Sequence, residues 1–160
     1  MTAAVVVGVG NEFRRDDGVG PAVARAVARL GVPAEISDGD PVRLMEAWGQ
    51  AEVVVVVDAI RCTPARPGHV HRVSVAGAGE PATSSHGFGV PEAVELARVL
   101  DRLPRRLVVL AVEVSDVAFG SGLSTPVAAA VPALVDEVLR VVAAARSAGL
   151  GATDEGEGPT

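Results

Sequence analysis

Apolar residues follow two alternating patterns along the chain. Continuous apolar runs predict strands at residues 3–9, 34–37, 52–58, 68–75 and 107–114. Continuous runs are typical of strands buried on both faces of a parallel sheet. The five consecutive valines at residues 53–57 give the clearest case, whereas residues 68–75 are more polar and predict a strand near an edge.

Between these runs, apolar residues recur every three or four positions, which predicts amphipathic helices. The predicted helices cover residues 18–30, 41–48, 90–103 and 125–146. Pro132 lies inside the last of them, where a kink and a break into two helices are open alternatives. The alternation of strands and helices predicts an α/β sandwich, with helices on both faces of a mostly parallel, five-stranded sheet.

Length and composition limit the possible functions. A chain of 160 residues is one domain, and we predict that it spans residues 1–148, with an acidic, disordered tail at residues 149–160. The net charge of −6 and the aromatic content of 2% disfavour a nucleic-acid partner. No segment reaches the roughly 18 apolar residues of a membrane span, so no membrane partner is predicted. Cys62, the single cysteine, cannot form an internal disulfide, which favours the cytoplasm.

Three polar positions stand at the predicted carboxyl ends of strands or in loops beside them. The acids Asp16 and Asp17 follow the first strand, Asp58 ends the valine strand, and His86 precedes the third helix. Functional loops of such sheets lie at the carboxyl edge, so these side chains can converge. Two carboxylates and an imidazole suit Zn, Ni, Fe or Mn, and three protein ligands leave coordination positions open.

Each of these candidates also has a purely structural interpretation. Asp16 or Asp17 alone is typical of a helix N-cap, and Asp58 alone is typical of a turn. Gly8 and Gly10 are spaced as in a dinucleotide-binding turn. However, Phe13 occupies the position of the third glycine, which disfavours a nucleotide-binding module.

Other polar residues are weaker candidates. His69 and His71 share one face of a strand and supply half of a metal site, but no carboxylate follows nearby in the sequence. Glu113 and Asp116 flank the end of the last strand. They either support the site or fix a loop, or they are solvated turn acids, which is the interpretation that we favour. Cys62 has no motif around it and is interpreted as having no role.

Four ordered segments resemble the hydrogenase maturation proteases: VVVGVGNEFRRDDGVGPAVA, VVVVVDAI, SSHGFGVPEAVELA and AVEVSDVAFGSGLSTPVAAAVPALV. Members of this family are endopeptidases that remove a C-terminal extension from the large subunit of nickel–iron hydrogenases after nickel is in place. The resemblance covers residues 3–142. It implies a phosphorylase/hydrolase-like α/β/α sandwich with one antiparallel strand, for which residues 68–75 are the candidate.

The resemblance also implies functional roles. Asp17, Asp58 and His86 match the metal-contacting positions of the family and would engage nickel near the scissile bond. The precursor of the hydrogenase large subunit is the implied partner and supplies the nickel, while a resting metal of the protein's own is left open. A departure from the family is that many members carry Glu at the position of Asp17.

Two further residues are candidates for substrate binding. Asn11 either fixes its loop or donates to the substrate backbone. Asp38 begins a loop that matches the family at Asp38-Gly39 and departs from it at Asp40-Pro41. No Ser-His-Asp or Cys-His arrangement is evident, so we predict attack by water and not an acyl-enzyme. The alternative function is a non-catalytic chaperone that binds nickel or the precursor on the same fold.

Overall fold

The strands and helices follow the predicted order. The computed structural model of the chain describes residues 3–76 and 89–153. Within that part the strands are β1 (Ala4–Val9), β2 (Ala34–Ser37), β3 (Val53–Arg61), β4 (Val70–Ala76) and β5 (Arg106–Val114). The α-helices are α1 (Val19–Arg29), α2 (Pro41–Trp48), α3 (Gly89–Val99) and α4 (Thr125–Thr153), and a 3-10 turn at Arg15–Gly18 precedes α1.

The described strands form a single mixed sheet in the order β2-β1-β3-β5-β4. Neighbouring strands are parallel except for β4, which runs antiparallel to β5 at the edge. This confirms the predicted five-stranded sheet and its antiparallel strand. The valine strand β3 is central, with β1 on one side and β5 on the other, because its side chains are apolar enough to be buried on both faces.

Two layers of helices cover the sheet, as a three-layer sandwich requires. Val55 and Val57 of β3 pack in a core with α1 and α4. Val54 and Val56 pack in a second core with α2 and α3. Successive side chains of a strand point to opposite faces, so Asp58 belongs to the α2/α3 face of the sheet.

Three boundaries differ from the predicted ones by three or more residues. Helix α3 ends at Val99 and not at residue 103, because the chain turns there: Asp101 has φ 54° and Arg102 N–H donates to the Ala97 carbonyl. These features form a Schellman motif without its usual glycine, which hid the helix end in the sequence. Strand β3 continues to Arg61 because β5 keeps pairing with it.

Helix α4 is continuous through Pro132 and extends to Thr153, past the predicted end at residue 146. It therefore includes the first residues of the predicted tail at 149–160, and residues 154–160 lie outside the described part. Among the described residues, no helix has the length and apolar character needed to cross a membrane.

Candidate active site

The candidate site forms where β1 and β3 meet at the carboxyl edge of the sheet. The two strands are parallel neighbours with Gly8 opposite Val57, so Asp58 lies just beyond the last paired residue of β1. The 3-10 turn after β1 carries Asp17 back toward the same edge. Parallel pairing therefore brings two of the predicted site residues to one edge.

Glycines allow the turn and α1 to approach the strands closely. A Cβ added to Gly20 would stand 2.4 Å from the Val57 carbonyl oxygen and 2.5 Å from that of Val9. Gly10 has φ 141°, and a Cβ there would stand 1.9 Å from the Asp17 carbonyl oxygen. These positions accept no side chain, which is why the acid-bearing turn can lie directly on the strands.

The adjacent acids Asp16 and Asp17 have different roles. The Asp16 side chain is fully buried and accepts hydrogen bonds from the Ser124 backbone N–H at 2.7 Å and the Ser124 hydroxyl at 2.8 Å. It ties the turn to the start of α4. Asp17 is only half-buried, and its Oδ2 accepts from the Asn11 N–H at 2.8 Å. Neither acid caps α1, whose N-cap is Gly18, so the N-cap interpretation is wrong for both.

Asp58 is the most perturbed acid at this edge. Its residue is 4% exposed, and burial raises the pKa of its carboxyl from 3.8 to about 7. The Ala59 backbone N–H lowers this pKa in part, and the negative charge of Asp17 raises it. The two carboxylates therefore lie close enough to repel each other. A carboxyl group that titrates near neutral pH is suited to proton transfer.

A surface pocket of about 170 Å³ opens beside Asp17 and has two arginines in its lining, whereas Asp58 is not among the lining residues. It is lined by Arg14, Asp17, Ala59, Arg61, Val114 and Val117. Its walls combine positive charge, a carboxylate and apolar surface. That mixture suits a peptide segment, because it offers partners both for backbone polar groups and for apolar side chains.

Two exposed phenylalanines stand next to this pocket. Phe13 is 65% and Phe119 84% exposed, and their loops are joined because the Gly120 N–H donates to the Phe13 carbonyl at 2.9 Å. The Arg14 guanidinium lies 5.2 Å from the Phe119 ring centroid. Large exposed aromatics beside a cation are typical of surfaces that contact a partner.

The contacts of the two substrate-binding candidates are local. The Asn11 side-chain oxygen accepts from the Phe13 N–H at 2.9 Å, so the side chain fixes its own loop. Asp38 accepts from the Asp40 N–H at 3.1 Å and pairs with Arg43 at 2.7 Å, which hold the pKa of Asp38 below its usual value. Contact of either residue with substrate stays a prediction.

His86 lies outside the described residues, so its position relative to Asp17 and Asp58 stays a prediction. The described part of the site supplies two carboxylates. Their oxygens are ligands for divalent cations, and an imidazole would extend the set to the borderline metals, nickel included. The donors in the described part of the chain are therefore suited to a divalent cation.

Glu113 fits the loop-fixing alternative and not the interpretation that the sequence favoured. Its residue is 2% exposed, so the expected solvated acid is wrong. The carboxylate accepts from the Arg66 backbone N–H at 3.0 Å and lies 2.8 Å from the His71 Nε2. Strand periodicity could have found it, because alternate residues of β5 before it, Leu107 and Val109, pack in the α2/α3 core.

The sequence matches the profile of one family. That profile, described as HycI, hydrogenase maturation protease, matches residues 37–141. The matched range includes Asp58 and the segment that contains His86, and it begins after Asp17. No curated protein matches the chain.

Solved structures of similar fold carry related descriptions. The structure described as the [NiFe] hydrogenase maturation protease HybD from Thermococcus kodakarensis is 26% identical, with a TM-score of 0.74, covering 89% of this chain and 99% of that one. The hydrogenase maturating endopeptidase HybD from E. coli is 24% identical, with a TM-score of 0.71, covering 93% of this chain and 94% of that one. At 24% identity, the similarity to the E. coli protein supports the fold alone.

Proposed function

The chain belongs to the hydrogenase maturation protease family and is a peptidase, and from this premise we propose its substrate and its chemistry. The proposed substrate is the precursor of a nickel–iron hydrogenase large subunit. The proposed reaction removes the C-terminal extension of that precursor after nickel has been inserted. We further propose that it takes place in the cytoplasm, which the single unpaired cysteine favours.

One observation carries the proposed chemistry: the Asp58 carboxyl is buried beside Asp17, and this burial raises its pKa to about 7. A group with a pKa of about 7 can both accept and donate a proton under cellular conditions. In its ionised form, Asp58 takes a proton from the attacking water as the water oxygen bonds to the scissile carbonyl carbon. When the C–N bond breaks, the same carboxyl returns the proton to the leaving nitrogen.

Asp17 supports this step as a positioned anion. The Asn11 N–H orients its carboxylate, and its charge is one reason why Asp58 retains a proton near neutral pH. A cation next to the two acids would relieve their repulsion. Nickel held by the precursor is such a cation, so Asp17, Asp58 and His86 together would favour a nickel-loaded precursor over an empty one. Its charge would also lower the pKa of Asp58 and so favour the ionised form that accepts the proton from water.

The surface beside Asp17 supports binding of a polypeptide. The extension would cross the pocket between Arg14 and Arg61, and Phe13 and Phe119 would contact the body of the precursor. Exposed aromatics of this kind supply much of the binding energy at protein interfaces. Asn11 and Asp38 are proposed as secondary contacts.

The decisive experiment measures the intact mass of a nickel-loaded precursor before and after incubation with the protein. We expect loss of a C-terminal peptide from the nickel-loaded precursor and no change in the nickel-free one. Asp58→Asn should lower the cleavage rate by roughly 10²–10⁴-fold, because it removes the group that carries the proton. Asp17→Asn and His86→Ala should also lower the rate. Asp136→Asn is the matched control, because Asp136 is an exposed acid on α4, and it should cleave at the wild-type rate.

Three outcomes would contradict the proposal. Equal cleavage of both precursors would remove nickel recognition. Binding of the precursor without a change in its mass would favour the non-catalytic chaperone. Wild-type cleavage by both Asp17→Asn and His86→Ala would remove these residues from the site.

A further inference from the structure

A second group of metal-ligating side chains lies outside the candidate active site, where β4 begins and β5 ends. It consists of His69, His71 and Glu113, and we call it the edge cluster. One ligand atom from each residue lies within 4.8 Å of the other two. The rings of His69 and His71 meet edge to face, with centroids 4.8 Å apart.

Strand register explains why these three residues meet. β4 and β5 are antiparallel with Val70 opposite Val112 and His71 opposite Ala111. The pairing continues outward, because the Glu113 N–H donates to the His69 carbonyl at 2.8 Å. His69 is therefore directly opposite Glu113 and His71 is diagonal to it, on the same face of the sheet.

The contacts of Glu113 favour its ionised form. The Arg66 backbone N–H holds Oε1 at 3.0 Å, which leaves Oε2 toward the His71 Nε2 at 2.8 Å. The Arg66 N–H and His71 lower the pKa of Glu113 from 4.5 to about 2. A carboxylate oriented by a hydrogen bond to its second oxygen is a common feature of metal sites.

We propose that His69, His71 and Glu113 bind a divalent ion of the zinc class, separate from the site at Asp17 and Asp58. Two imidazoles and one carboxylate form a ligand set that zinc accepts, with a position left for water. Bond lengths of about 2.0–2.2 Å to nitrogen and oxygen place ligand atoms roughly 3–3.5 Å apart. The present separations require only side-chain shifts to reach that geometry.

Two neighbouring groups bear on this site. The Arg66 guanidinium lies 3.3 Å from Glu113 Oε2, but its side chain is 67% exposed and can move into solvent when an ion arrives. Burial and the nearby charge of Glu113 raise the pKa of the Cys62 thiol, so another donor that zinc accepts is close by. An ion here would join the end of β5, the start of β4 and the loop after β3.

The test titrates metal-free, full-length protein with Zn²⁺ against a chromophoric chelator, which gives the number of sites and their Kd. His69→Ala and His71→Ala should lose one equivalent or weaken its binding by roughly tenfold or more. His69 is exposed, so His69→Ala is expected to fold, which circular dichroism checks. Zn²⁺ should raise the Tm of the wild type by more than it raises that of His69→Ala.

Asp17→Asn and His86→Ala are the matched controls, because they change the candidate active site and leave the edge cluster intact. Both should retain the equivalent that His69→Ala loses. The proposal is overturned if the wild type binds no Zn²⁺, if His69→Ala binds like the wild type, or if only the control variants lose binding. No precursor is present, so failure here would leave the cleavage assay unaffected, and the reverse also holds.

Discussion

Asp58→Asn should stabilise the metal-free protein at neutral and alkaline pH. The folded protein holds a proton on Asp58 up to about pH 7, whereas the unfolded chain releases it near pH 3.8. The stability linked to this raised pKa is fully present below pH 3.8 and is lost as the pH rises through about 7. Asparagine stays neutral throughout, so the variant avoids this loss.

The expected size follows from the shift. The pKa rises by about three units, and each unit corresponds to about 1.4 kcal/mol. Between acid and alkaline pH, the free energy of unfolding of Asp58→Asn should therefore rise by about 4 kcal/mol relative to that of the wild type. This is a large fraction of the stability of a typical domain.

Urea unfolding of both proteins in the presence of a chelator, at steps from about pH 4 to about pH 8, measures this difference. Asp136→Asn is the control, and its curve should run parallel to that of the wild type because Asp136 is exposed. Asp17→Asn should move the loss of stability to lower pH, since the Asp17 charge helps to raise the Asp58 pKa. A difference between Asp58→Asn and the wild type that does not change with pH would refute the reasoning.

Three further predictions concern the packing of α1 at Gly20, the hydrogen bond between Ser124 and Asp16, and the exposed Phe119. Gly20→Ala places a Cβ against the Val57 carbonyl, so urea unfolding should show a loss of about 1–3 kcal/mol; unchanged stability would mean that α1 is not closely packed. Ser124→Ala removes the hydroxyl that donates to the buried Asp16 and should lower the free energy of unfolding by about 1–3 kcal/mol in the same measurement. Unchanged stability would mean that this hydrogen bond does not hold the turn to α4. Phe119→Ser should change stability by less than about 0.5 kcal/mol and raise the KM for the precursor; an unchanged KM would exclude Phe119 from the docking surface.

Much of the fold was predictable because local pattern and tertiary structure agree. The bounds of α2 match the prediction, since Pro41 starts it and Gly49 ends it. The convergence of Asp17 and Asp58 followed from one rule, that parallel strands end at the same edge. That rule uses chain order alone and needs no knowledge of side-chain contacts.

Which of Asp16 and Asp17 is buried and which faces the candidate site was not predictable, because it depends on contact with Ser124, a residue distant in the sequence. Ser124, which holds Asp16, lies 108 residues away in the sequence. Two adjacent acids on a turn point in different directions, and only the position of the α4 start decides which one is buried. The N-cap propensity of aspartate is the same for both residues, so it cannot tell which of them has which role.

The edge cluster was missed for a related reason, since histidines on a strand were judged by their neighbours in sequence. The missing carboxylate is 42 residues from His71 but one strand away in space. An antiparallel edge strand begins where its parallel neighbour ends, so the start of β4 is at the same edge as the end of β5. Because β4 is antiparallel, His69 and His71 lie beside the buried Glu113, at the edge that carries the candidate active site. A parallel β4 would place them at the opposite edge.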